Sequence, residues 1–151
     1  MSEMRLAIAL EKQYSKDDIL LGYLNIANFG GSVYGIEAAA QYYFGVSAAD
    51  LTLPQAATLA ATVNEPNGLR IDEPENIEAN KARRDEDVLA SMLKQKAITQ
   101  QQYDEAVATP VTPNITQPTT GCQAAADGAA YFCDYVSRIV KNDPTFGDTA
   151  D

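Results

Sequence analysis

At three places where an apolar helical run begins, a hydroxyl residue is followed, three positions on, by a side chain able to reach back to it. The pairs are Ser15 with Asp18, Thr52 with Gln55, and Thr99 with Gln102. Such a pair satisfies amide groups that every helix leaves open at its start, so it fixes helix beginnings. An apolar run at helical spacing follows each pair. The helix before Ser15 is predicted over about Glu3 to Gln13, with Met4, Ala7, Ile8 and Glu11 in register and Leu6 and Leu10 widening the apolar face. The next carries Ile19, Leu20, Tyr23, Leu24 and Ile26 and is broken at Asn28-Phe29-Gly30-Gly31-Ser32, where paired glycines favour a turn. An alanine-rich helix spans about Gly35 to Phe44, and another runs from Thr52 to about Val63, ended by the turn chemistry of Asn64 to Gly68. Asp72, Pro74 and Glu75 open the longest helix, to about Lys96, with Ile77, Val88, Met92 and Leu93 inward. No strand alternation interrupts these signals, and the predicted fold class is all-α.

From Val107 to Gly121 threonine and proline dominate, the composition of an extended linker. Beyond it a last amphipathic helix is predicted over about Ala124 to Lys141, carrying Phe132, Cys133, Val136, Ile139 and Val140. Asn114-Ile-Thr116 matches a glycosylation acceptor, relevant only in a eukaryotic secretory setting. The expected division is a helical domain over residues 1–106, a linker over 107–121 and a further region over 122–151.

The chain contains no histidine, so acid–base work falls to carboxylates or hydroxyls. A formal net charge of −10 repels phosphate backbones and excludes nucleic acid as a natural partner. The one close basic pair, Arg83-Arg84, runs straight into Asp85-Glu86-Asp87 and reads as a solvated helix face. Cys122 and Cys133 are spaced too widely for a redox Cys-x-x-Cys motif. A disulfide and two free thiols both remain open, and an extracytoplasmic address would favour the bond. Ser91-Met92-Leu93-Lys94 has the Ser-x-x-Lys spacing of a serine nucleophile with its lysine, but Met92 and Leu93 continue an inward stripe. The companion motifs that such chemistry needs are not in the chain.

The text from Glu3 to Pro66 carries a resemblance. Glu3 through Leu20, then Tyr23-Leu24-Asn25 with Phe29-Gly30 and Tyr34 through Ala39, then Tyr43-Phe44-Gly45, and finally Leu51 through Ala57 with Val63-Asn64-Glu65-Pro66 stand in order. They resemble successive blocks of peptidoglycan glycosyltransferases, the transglycosylase domains of class A penicillin-binding proteins. The text around Gly121-Cys122 and Tyr131 to Val136 resembles the approach to the transpeptidase domain in actinobacterial members. The resemblance implies a lysozyme-like helical fold beside a membrane-inserted part. It implies polymerisation of lipid II into glycan strands at the extracytoplasmic face of the cell membrane, and a transpeptidase domain in cis. In the family a glutamate of the first block is the base on the acceptor hydroxyl. The donor's anomeric carbon inverts as lipid-linked pyrophosphate leaves. A second glutamate, with basic residues or a divalent metal (Mg or Mn), assists the pyrophosphate end.

Glu3 matches that second glutamate, and the chain begins within its Arg-Lys-x-x-Glu motif. The resemblance therefore assigns Glu3 a catalytic role, with metal contact as a further option. The first block and its base lie outside this text, and with them the basic cluster that would stabilise a departing phosphate. The expectation is that the chain alone does not turn over and that Leu6, Leu10 and Leu24 are partly uncovered. Asn64 and Asn25 match family asparagines and are the candidate substrate-binding residues. For Asn64 a donor-site hydrogen bond stands against helix C-capping. For Asn25 a buried hydrogen bond holding the Phe29-Gly30 turn stands ahead of substrate contact. Glu37, after Gly35-Ile36, reads as first-turn helix stabilisation. Two other readings of the chain stay in view: a non-catalytic helical scaffold for cell-wall proteins, and a lysozyme-like hydrolase, which would need a flanking acidic pair.

Overall fold

The computed structural model describes residues 2–116 and 129–142. They belong to two units, Met1–Thr116 and Gln117–Asp151. In the first unit, α1 (Ser2–Gln13), α2 (Lys16–Ile26), α3 (Ile36–Phe44) and α4 (Leu53–Asn64) are followed by α5 (Ile77–Arg83), α6 (Ala90–Lys94) and α7 (Gln100–Ala108). The described residues form no strand; Asn28 and Tyr34 make an isolated bridge. The protein is all-α, as the capping pairs predict.

All three capping pairs operate. The Ser15 hydroxyl donates to Asp18 at 2.6 Å and accepts from the Asp18 amide at 3.1 Å, and these contacts hold the exposed Asp18 carboxyl below its ordinary range. The Gln55 carboxamide oxygen accepts from the Thr52 amide and hydroxyl, at 2.9 and 2.8 Å. Gln102 and Thr99 exchange bonds of 2.8 and 3.2 Å.

Two apolar clusters hold the unit together. The first joins Phe29, Ala39, Tyr43, Phe44, Leu59 and Ile71, from the turn after α2, from α3, from α4 and from the loop that follows it. The second gathers Ala57, Leu89, Ile98 and Ala106 under α4 and α7, with Met92 and Leu93 packed against it. Met92 and Leu93 are thus core residues, and Ser91 and Lys94 face solvent. A Ser-x-x-Lys nucleophile has no support in this arrangement.

The longest predicted helix differs from its expectation at its start, at its end and in its middle. A 3-10 turn over Pro74–Asn76 precedes α5, Asp72 bonds Arg70 instead of opening the helix, and the end comes at Lys94. Between α5 and α6 the backbone runs as a π-helix over Arg84–Leu89. A π segment shifts the register of the faces, and such insertions recur at functional positions. Here it places Arg84 and Asp85 in the interior, with relative exposures of 2% and 7%. The solvated-face reading is corrected for these two residues, which pair with each other: Arg84 Nε donates to Asp85 Oδ1 at 2.7 Å. Lys81 Nζ adds a contact of 2.7 Å to the same carboxylate. Burial pushes the Asp85 carboxyl up, but the bonds from Arg84 and Lys81 outweigh it and hold the group below its ordinary range.

After α7 the chain is extended from Pro110 to Thr116. It is fixed to the end of α3, with Asn114 N donating to the Tyr43 carbonyl and Thr116 N to the Tyr42 carbonyl, each at 2.8 Å. Val107 and Ala108 complete α7, since helical bonding there persists to the Thr109 cap. In the second unit α8 covers Ala130–Asn142, with an Arg138–Asp134 ion pair of 2.9 Å along its surface. The predicted start of this helix, Ala124 to Gly128, lies outside the described residues, as does Cys122. Cys133 is disulfide-bonded.

Candidate functional site

The later blocks carrying the resemblance meet at one turn, Asn28 to Gly31, which Tyr43 and Pro66 both approach. The Asn28 side chain shapes it, its Oδ1 accepting from Gly30 N at 2.7 Å and its Nδ2 donating to Gly31 O at 3.1 Å. Phe29 is fully buried beneath it. Gly30 has φ +111°, a region that L side chains avoid, and a Cβ there would stand 2.9 Å from the Pro66 carbonyl oxygen, from Arg70 Cβ and from Tyr43 Oη. The turn therefore lies directly against the loop that follows α4. Gly35, at the start of α3, is as constrained, with φ +86° and the Asn25 carbonyl oxygen 2.8 Å from a built Cβ. The end of α2, the start of α3 and the loop after α4 are thus locked together by backbone approaches that only glycine permits.

A polar clasp secures the same junction. Arg70 forks onto Asp72, with Nε at 2.7 Å from Oδ1 and Nη2 on Oδ2. The Tyr42 hydroxyl donates to Asp72 Oδ2 at 2.8 Å, and the Tyr43 hydroxyl donates to the Phe29 carbonyl at 2.7 Å. The Arg70 bonds hold the Asp72 carboxyl low, against burial and with help from Tyr42. The Asp72 bond in turn raises the Arg70 guanidinium above its usual value. Burial, reinforced by the Asp72 charge, pushes the Tyr43 phenol well above its ordinary range. Beneath the clasp, Asn80 Nδ2 donates to Leu69 O at 2.7 Å and to Thr62 Oγ1 at 3.0 Å, tying α5 to the loop after α4.

Glu3 is on α1, which packs against α2 alone among the described elements, and its side chain lies outside the described residues. Asn25 is near the end of α2 and is exposed. The expected buried hydrogen bond is corrected: Asn28, three residues on, holds the turn, because it stands inside the bend where both amide edges meet backbone. Asn64 is the last residue of α4 and is also exposed. The bond that closes that helix end is the Glu65 amide on the Thr62 carbonyl, at 3.1 Å. Asn25, one residue before the end of α2, and Asn64, the last residue of α4, therefore lie where the two helices lead into the Asn28–Gly31 and Glu65–Arg70 contact. Glu37 does more than stabilise a first turn, since its Oε2 accepts from Ala48 N at 2.8 Å and fastens α3 to the turn beyond it. That bond, with Gln41, lowers its carboxyl. Of the leucines expected to be uncovered, Leu10 is 47% exposed, Leu24 is half-buried against the first cluster, and the Leu6 side chain lies outside the described residues.

Sequence reasoning missed Asn28, Arg70 and Asp72. A signal was present: Leu69 and Ile71 are both buried, and Arg70 and Asp72 alternate with them, which puts the two charges side by side. Among the described residues no group of three or more His, Cys, Asp or Glu side chains could hold a metal ion.

Residues 1–93 match the family model described as Transglycosylase. The chain is 38% identical over 134 residues to penicillin-binding protein 2D of Bacillus subtilis (strain 168), covering 89% of this chain and 18% of that protein. It is 55% identical over 64 residues to the biosynthetic peptidoglycan transglycosylase of Marinomonas sp. (strain MWYL1), covering 42% of this chain and 28% of that one. Among solved structures, penicillin-binding protein 1A from Haemophilus influenzae superposes with a TM-score of 0.65 at 30% identity, over 89% of this chain and 18% of that one. The chain thus spans about a fifth of the length of such relatives. With the family model matched over most of its length and the helices in the same arrangement, the chain belongs to the transglycosylase family.

Proposed function

We propose that this chain works as part of a peptidoglycan glycosyltransferase that joins lipid II units into glycan strands during bacterial cell-wall synthesis. The sugar–phosphate bond breaks with inversion and undecaprenyl pyrophosphate leaves. The observation that carries this reading is the family match over residues 1–93, with the later resembling blocks meeting at the Asn28–Gly31 turn. In this reading Glu3 is the carboxylate at the pyrophosphate end, and Asn64 and Asn25 contact substrate from the ends of α4 and α2. A carboxylate there needs cationic company, from basic residues or a divalent metal, because charge develops on the leaving phosphate. The described residues that could supply it are few: the chain carries eleven Lys and Arg against twenty-one Asp and Glu, and Arg70 and Arg84 are spent on Asp72 and Asp85. The chain by itself is accordingly inactive.

The same reading places the reaction at the extracytoplasmic face of the cell membrane, where lipid II presents its sugars. No helix among the described residues is long and apolar enough to cross a membrane. Beyond α7, residues 109–121 then act as a Pro/Thr linker, and 122–151, with Cys122 and Cys133 joined, lead towards a transpeptidase domain in cis.

The test is a chimera. Residues 1–93 replace the corresponding segment of the Marinomonas transglycosylase, and lipid II polymerisation is followed by gel. The expected result is that the chimera makes glycan strands and the 151-residue chain makes none. Polymer from the chain alone, or a folded chimera without product, contradicts the reading.

A further inference from the structure

Arg70 is partly buried and lies over the Asn28–Gly31 turn, its Nη1 3.1 Å from where a Cβ on Gly31 would stand. Its charge is already answered. Asp72 takes its fork, and Glu73 Oε1 is 3.9 Å from Nη2. A guanidinium that faces two carboxylates has little charge left for an anionic ligand. What remains is its shape, a planar fork that fixes direction as well as distance.

That direction is passed to the end of α4. The Glu65 carbonyl accepts from Gly68 N and Leu69 N, at 3.1 and 2.9 Å, and closes residues 65–69 into a ring. Asn64 precedes this ring and Arg70 follows it. Thr62 Oγ1 donates to the Leu69 carbonyl at 3.2 Å, so the ring is also fastened to the last turn of α4. The last carbonyls of a helix have no intrahelical partners, and the end frays unless something ties it. Here the tie runs from Asn64 through the ring to Arg70, from Arg70 to Asp72, and from Asp72 to the Tyr42 hydroxyl on α3. Asn64 is exposed, so its aim depends on the backbone that carries it.

We propose that Arg70, braced by Asp72 and Tyr42, is a positioning residue for glycosyl transfer: it sets the place of Asn64 at the donor site and does not itself touch substrate. The inference rests on the reading of Asn64 as a substrate contact.

The test is a double-mutant cycle in the chimera that carries residues 1–93, read as kcat/KM for lipid II at a temperature well below every variant's melt. Arg70→Lys keeps the charge and loses the fork. It should lower kcat/KM by about three- to tenfold, the size of one misplaced hydrogen bond, and Asn64→Ala by at least as much. In the double variant the further loss from Arg70→Lys should vanish, because no Asn64 remains to be misplaced. Tyr42→Phe removes a single bond to Asp72 and enters the same cycle, and it decides the matter if Arg70→Lys does not fold. Losses that multiply in the double variant mark a clasp that is merely structural and overturn the proposal, as does Arg70→Lys at the parent kcat/KM. If Asn64→Ala alone changes nothing, the substrate reading of Asn64 fails and the proposal falls with it. A folded parent chimera without polymer removes the glycosyltransferase reading itself, and with it the proposal.

Discussion

The helices α1 and α2 differ sharply from α3 and α4, although all four carry text of the same family. In α2 no residue is buried, and every described side chain of α1 is exposed, including Met4 and Ile8 at 73% and 53%. In α3 and α4, by contrast, Ala39, Ala40, Tyr43, Leu59 and Ala61 are buried. The first pair owes its form to local signals such as the Ser15–Asp18 exchange. The second owes it to packing and to the Asn28, Arg70 and Asp72 contacts. A helix held mainly by local signals is marginal at this length, so opening should begin in α1 and the exposed start of α2 and reach α3 and α4 only on global unfolding.

The largest effect is expected in the packed region. Leu59→Ala removes a fully buried side chain and should cost about 2–5 kcal/mol, read as a fall in the denaturant midpoint. Asp72→Asn should cost about 1–3 kcal/mol by breaking the Arg70 fork. It also carries a signature in pH. Because the Asp72 carboxyl is held low when folded, the unfolded chain takes up its proton first as the solution is acidified. The stabilisation is complete above about pH 3.9, the ordinary carboxylate value, and is lost as pH falls through the lower folded value. Wild type should therefore lose its advantage over Asp72→Asn in that acid window, measured by thermal melts across pH. If the gap stays constant down to the acid limit, the clasp does not work through this carboxylate.

Smaller effects belong to the other region. Ser15→Ala should weaken α2 by about 1 kcal/mol, seen as faster amide exchange in α2 with an unchanged global midpoint. A drop in the global midpoint equal to that of Leu59→Ala would abolish the contrast between the regions. Met4→Ser should change stability by no more than about 0.5 kcal/mol, as for exposed sites generally.

The helices were legible because each begins with chemistry that local sequence must supply: Ser15, Thr52 and Thr99 announce themselves. The π segment was not, because its register depends on how Leu89 and Arg84 meet α4 and α7, and 3.6-residue periodicity carries no trace of that. Arg84 and Asp85 looked like surface charges for the same reason. In the candidate site, the importance of the Phe29-Gly30 turn was readable, but its holder was misplaced from Asn28 to Asn25. An asparagine's partner depends on the backbone around it, and both residues suit a turn by type. The Arg70–Asp72 clasp was hidden because Tyr42, its third member, is thirty residues from Asp72 in the chain.

The decisive measurement concerns Glu3. In the chimera that carries residues 1–93, Glu3→Gln keeps the side chain's size and removes its charge. If this carboxylate stands at the pyrophosphate end of the bond being broken, lipid II turnover falls by roughly a hundredfold or more while the melting temperature is unchanged. A Glu3→Gln chimera that polymerises lipid II at the parent rate would contradict the assignment.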